Sequence, residues 1–159
     1  MNAQTERLVI AGPAGDLALS LDAAAHGLPA RGLAVIAHPH PLFGGTMDNK
    51  VVQTLARAFL QSGWVSIRFN FRGVGASEGQ HDHGVGEAQD ALALIAQLAP
   101  QGPLALAGFS FGAFVTSHVI AALHPAREIE QIVLVGQVVA QRVAACAPPP
   151  AAVEMPIPF

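Results

Sequence analysis

Cysteine, tyrosine and charge are all scarce in this chain. Of 159 residues, one is cysteine (Cys146) and none is tyrosine. A lone cysteine excludes an internal disulfide and a cysteine-based zinc site. Charged residues make up 12%, where a typical soluble domain carries about 25%. With 52% apolar residues, this excludes an intrinsically disordered chain, which pairs low hydrophobicity with high charge. The 8 basic and 11 acidic residues leave a net charge of −3 and form no basic run, so nucleic acid is not an expected partner. The opening, MNAQTERLVIAG, lacks the charged-then-apolar form of a signal peptide, and a cytoplasmic protein is the default expectation. The length fits one domain.

The scarcity of charge creates one ambiguity. No formal charge falls between Asp90 and Arg127, and Leu104 to Leu123 is long and apolar enough to pass for a membrane span. Gly108 and Gly112 interrupt that run, and Gly102-Pro103 precedes it. It reads better as a buried strand, a tight turn and a helix, because parallel strands covered on both faces are this apolar. No membrane partner is expected.

Periodicity organises the rest. Leu8 and Ile10, then Leu17, Leu19 and Leu21, alternate around a Gly/Pro turn and predict a β-hairpin. Strands are expected at Leu33–Ala37, Val65–Phe69, Leu104–Phe109 and Ile132–Val135. Helices are expected at Asn49–Ser62, capped by Asp48 and stopped by Gly63, at Glu87–Leu98, and at Phe111–Leu123. In the second helix, Glu87 and Asp90 fall where the helix dipole favours acids. This alternation predicts an α/β fold with a mostly parallel sheet led by an antiparallel hairpin. The alternation stops near Gly136. Residues 137–159 hold five of the twelve prolines and six alanines, and are expected to form an irregular tail beside a core of residues 1–136.

The strongest motif is Gly108-Phe109-Ser110-Phe111-Gly112. It matches G-x-S-x-G between a predicted strand and a predicted helix, the setting of a nucleophile elbow. Such a turn holds the serine at the strand tip, and the helix N-terminus aims free amides where negative charge develops. Two further segments are rarer: HPHPLFGGTMDNKVV (His38 to Val52) and RFNFRGVGASEG (Arg68 to Gly79). With these three segments the chain resembles the α/β-hydrolases, most of all a small, lidless bacterial group within that superfamily. The resemblance covers roughly residues 5 to 136 and implies that the third strand lies beside the fifth. It implies Ser110 as nucleophile, with the backbone N–H of Phe111 as one oxyanion donor. The second would be the N–H of Leu42, since Pro41 has none. Asn70 stands where the superfamily usually has aspartate, and Asn70 and Arg72 are read as turn organisers.

A serine nucleophile needs a base, and the base an orienting acid. The resemblance places the acid after a seventh strand and the histidine after an eighth, and neither segment is present. The only histidines after Ser110 are His118 and His124, both in the helix leaving the elbow; the acids are Glu128, Glu130 and Glu154. The fold is therefore expected to lack its last strands and helices, as a truncated product departing from the family near Gly136, or as a naturally short form. Hydrolysis of a small ester, thioester or amide by acyl-enzyme chemistry is then expected to be impaired.

Three alternatives stand beside this reading. A displaced base could come from His38 or His40, or from His81 or His83, which follow parallel strands toward the same sheet end as Ser110. The pairs His38-x-His40 and His81-x-His83 could hold zinc, but they read better as an oxyanion loop and as a solvated loop with Asp82, so no metal is expected. A catalytically inactive scaffold is the third. Phe43, Phe109, Phe111 and Phe114 point to an apolar acyl group, and without tyrosine no tyrosyl oxyanion donor exists. Neither a G-x-G-x-x-G after the first strand nor a P-loop occurs, so no cofactor is expected. The expected partner is a small-molecule substrate, with self-association through an exposed sheet edge.

Overall fold

A computed structural model describes residues 3–24 and 29–136. The proposed tail, 137–159, lies outside the described residues. Strands β1 (Ala3–Gly12) and β2 (Gly15–Ala24) form the expected hairpin, with Leu8 opposite Leu19 and Ile10 opposite Leu17. Then come β3 (Leu33–Ala37), α1 (Lys50–Gln61), β4 (Val65–Phe69), α2 (Val85–Leu98), β5 (Leu104–Phe109), α3 (Phe111–Leu123) and β6 (Gln131–Val135). The strands make one mixed sheet in the order β1-β2-β4-β3-β5-β6. The hairpin joins it antiparallel through β2 and β4, while β4, β3, β5 and β6 run parallel.

Side chains alternate across the sheet and build a core on each face. Val35, Leu104 and Leu106 point to the face covered by α2 and α3, where Leu94, Ile95, Val115 and Val119 meet them. Ala34, Ile36, Ala105 and Ala107 point to the other face, under Val52, Ala56 and Phe59 of α1 and the buried Trp64. The apolar run from Leu104 to Leu123 is thus a central strand followed by a helix, and no described helix is long and apolar enough to cross a membrane.

Three local readings need correction. Asn49, not Asp48, caps α1, its side chain accepting the Val51 N–H at 2.9 Å. Asp48 instead pairs with Arg7 and Arg68. Gly63 does follow the helix in a left-handed conformation, φ 84°, as a C-terminal stop requires. Helix α2 begins at Val85, two residues before Glu87. Asp90 therefore lies beyond the first turn, and its partner is a guanidinium, Arg72, rather than the helix dipole.

Candidate functional site

The parallel strands end at one edge of the sheet, and the loops leaving β3, β4 and β5 meet there. Ser110 occupies the turn between β5 and α3 with φ 56° and ψ −116°, a conformation that costs a non-glycine residue about 1–3 kcal/mol. Its surroundings hold it there. The Ser110 N–H donates to Val135 O at 2.9 Å, and Ser110 O accepts the Ala113 and Phe114 N–H groups. The glycines are required by close approach: a Cβ on Gly108 would lie 2.6 Å from Ala113 N, and one on Gly112 would lie 2.5 Å from His38 O. Phe111 and Gly112 begin α3, where backbone N–H groups have no helical partner.

The loop after β3 is anchored beside this elbow because β3 and β5 are neighbours. His38 is fully buried. Its Nδ1–H donates to Pro39 O at 2.7 Å, and its Nε2 accepts the Phe71 N–H at 3.0 Å. Both ring nitrogens are committed to backbone, so His38 is a strut between the β3 and β4 loops with no lone pair for Ser110. Asn70 adds a second tie, its Oδ1 accepting the Met47 N–H at 2.9 Å. Ser77 Oγ donates to Asn70 O and accepts the Ala18 N–H. Arg72 pairs with Asp90 of α2 through two 2.7 Å contacts. Asn70 and Arg72 thus hold turns together.

Burial pushes the His38 imidazole down to about 4, against partial compensation from the Pro39 carbonyl and Glu87. The unfolded chain takes up this proton near pH 6.5, while the folded chain resists until about pH 4. Between those values the unfolded state binds more protons, so stability present above pH 6.5 is lost as pH falls. The full loss is about 3 kcal/mol for a shift of this size. His38→Gln can replace both hydrogen bonds without titrating. Denaturant melts between pH 7.5 and 4 should show a shallower decline for this variant than for the wild type. Equal slopes would remove His38 as the source.

His40 opens the 3₁₀ turn Pro41–Phe43, with its Nδ1 accepting the Leu42 N–H at 3.2 Å. Leu42 and Phe43 are 69% and 87% exposed, apolar side chains presented at the rim. The His40 ring packs against Phe43, His81 and Phe111, with centroids 5.0, 5.0 and 4.7 Å away. Desolvation lowers its pKa first, with His81 and His83 adding to the effect and Glu87 opposing it. The expectation of a solvated loop for His81 fails: its side chain is only 10% exposed, with Nδ1 2.9 Å from Glu87 Oε1. The angle there does not make a hydrogen bond. Glu87 is fully buried and accepts the N–H groups of Asp82 and Gly84 at 2.9 and 2.8 Å. Glu87 thus reaches back from the third helical position to the N–H of the N-cap, the acidic half of a capping box; Gly84 has no side chain to return the bond, so the sequence signature of the full box is absent. His83 remains exposed, at φ 52°.

Phe111 is the hub of this face, its ring touching those of His40, Phe71, His81 and Phe114. His118 and His124 are exposed on and after α3, and Glu128 and Glu130 precede β6. None of these four is brought to Ser110 by its element. No group of three or more His, Cys, Asp or Glu residues with metal-binding geometry occurs among the described residues.

Comparison with known proteins fits this geometry. The family model for serine aminopeptidase S33 (Hydrolase_4) matches residues 28–157. An α/β serine hydrolase homologue from Coxiella burnetii is 41% identical, with a TM-score of 0.72 over 83% of this chain and 62% of that one. A lidless α/β serine hydrolase from Xanthomonas campestris is 33% identical, with a TM-score of 0.71 over 84% of this chain and 71% of that one. An uncharacterized protein of Rickettsia prowazekii is 42% identical over 92 residues, which is 55% of this chain and 39% of that protein. The chain thus spans about two fifths of that curated relative. A serine on a strained strand-to-helix turn, the loop after β3 packed beside it and these matches agree: the chain belongs to the α/β-hydrolase superfamily, in the serine aminopeptidase S33 family.

Proposed function

We propose that this chain is a serine hydrolase that attacks a small ester, thioester or amide through Ser110. The observation that carries this reading is the backbone of Ser110, held in a strained turn at the head of α3. The Ser110 Oγ–carbon bond forms as the carbonyl electron pair moves onto oxygen. The N–H groups of Phe111 and Leu42 receive that charge. The leaving group then departs with the electron pair of its broken bond and takes up, through solvent, the proton lost by the Ser110 hydroxyl. Water then cleaves the acyl ester, releasing the acid and returning the proton to Ser110 Oγ. Two such donors are worth several kcal/mol to acyl transfer. The exposed Leu42 and Phe43, together with the Phe111 ring that packs on the same His40 as Phe43, suit an uncharged, apolar acyl group.

The base sets the rate. His118 and His124 lie on and after α3, leading away from the elbow, and His38 spends both nitrogens on backbone. His40 can take a proton at Nδ1 only by giving up Leu42. With His38 and His40 committed in this way, turnover by residues 1–159 is expected near the level left when a triad loses its base, about 10³–10⁴ over water. The same commitments favour a second reading, a scaffold that holds Ser110 without catalysing turnover.

Intact-mass analysis after treatment with an alkyl fluorophosphonate tests the first reading. In that reaction the Oγ–P bond forms, the P–F bond breaks, fluoride leaves and the hydroxyl proton passes to buffer. One adduct per chain, mapped to the peptide holding Ser110, is expected together with slow turnover of a p-nitrophenyl ester. An unlabelled Ser110 would support the inert scaffold, and rapid turnover would overturn the account of the base.

A further inference from the structure

The Leu42 N–H is already engaged. It donates to His40 Nδ1 at 3.2 Å, while His40 O accepts the Phe43 and Gly45 N–H groups. A neutral imidazole that accepts at Nδ1 carries its proton on Nε2. A hydrogen bond is strongest with its N–H nearly in line with the acceptor, so a donor aimed at the imidazole serves a substrate oxyanion less well than one that is free. The same ring rests on Phe111, the residue that supplies the other donor.

We propose that His40 is a positioning residue that holds the Leu42 N–H in reserve, so that imidazole and developing oxyanion compete for one donor and release by the ring completes the oxyanion hole. This rests on the hydrolase reading above and deepens it. Protonation at Nδ1 removes the lone pair that engages Leu42, so proton uptake by His40 opens the hold. The titratable groups facing the ring are His81 and His83, which disfavour the imidazolium, and Glu87, which favours it. The other faces are packed by Phe43 and Phe111. Desolvation, aided by His81 and His83 against Glu87, keeps the ring neutral, and the hold closed, at neutral pH.

Two variants separate this from an ordinary cap on a 3₁₀ turn. His40→Ala removes the acceptor. His40→Asn restores one, because an asparagine side chain accepts the N–H two residues on, but it does not titrate. The first readout is the Leu42 amide resonance in ¹⁵N–¹H spectra. In the wild type it should shift together with the His40 ring titration, and in His40→Asn it should show no such step. The second is the rate of Ser110 labelling by the fluorophosphonate. At pH 7.5 His40→Ala should label about three- to tenfold faster than the wild type, the factor one net hydrogen bond supports. His40→Asn should label more slowly than His40→Ala. The ratio of His40→Ala to wild type should fall toward one as His40 titrates. Labelling of His40→Ala no faster than the wild type, or a Leu42 resonance indifferent to His40, overturns the proposal. Failure of all three proteins to label overturns the hydrolase reading and this proposal with it, an outcome distinct from a wild type that labels while His40→Ala gains nothing.

Discussion

Gly112→Ala is expected to cost about 3 kcal/mol, the upper end for forcing atoms into a packed interior. The added Cβ would lie 2.5 Å from His38 O and closer still to Ala37 O. Both obstacles are backbone at the end of β3, so no side chain can swing aside. Relief requires α3 to withdraw from the sheet, or the loop from His38 onward to lift off the elbow. A denaturant midpoint should fall with an unchanged slope, and Ser110 labelling should fall with it. A variant as stable and reactive as the wild type would show that the elbow does not rest on the β3 loop.

Arg72→Met is the second large effect. The guanidinium meets Asp90 through Nε and Nη2, each at 2.7 Å, and the Asp90 side chain is almost wholly buried. Removing one partner of a buried ion pair leaves an uncompensated charge and costs about 3–5 kcal/mol. Replacing both, as in Arg72→Met with Asp90→Leu, removes the stranded charge and should recover most of that loss. Thermal melts of the two single variants and the double variant measure the coupling. Additive losses would mean that the pair contributes nothing as a pair.

Much of the fold was legible because it is local. Alternation over Leu17, Leu19 and Leu21 marks a half-buried strand, and LAVIA marks one buried on both faces. The two glycines around Ser110 announced a turn too tight for side chains, as the Cβ clashes at both positions show. What was not legible is the choice of long-range partners. Asp48 and Asn49 are equally good caps by type, and only Arg7 and Arg68, distant in sequence, draw Asp48 away. His81 reads as a loop residue until α2 places Glu87 behind it. His40 reads from sequence as an oxyanion-loop residue, with a displaced base as the alternative. Its bond to Leu42 depends on the 3₁₀ turn, which the Pro-Leu-Phe sequence alone does not dictate.

The strand order also has a consequence for how the chain reaches this structure. The β1–β2 hairpin can close as soon as it is made, with Gly12 opposite Gly15. Every other pairing in the sheet waits for distant sequence: Leu19 must find Phe69, and Leu33 must find both Val65 and Leu104. The central strand is thus synthesised early and flanked late, one neighbour at a time. Loop-closure entropy is spent before those contacts form, which slows folding of such sheets relative to helical bundles. On the ribosome, β3 would carry an open apolar edge until β5 emerges, the interval in which a nascent sheet of this kind is most exposed to pairing with another chain.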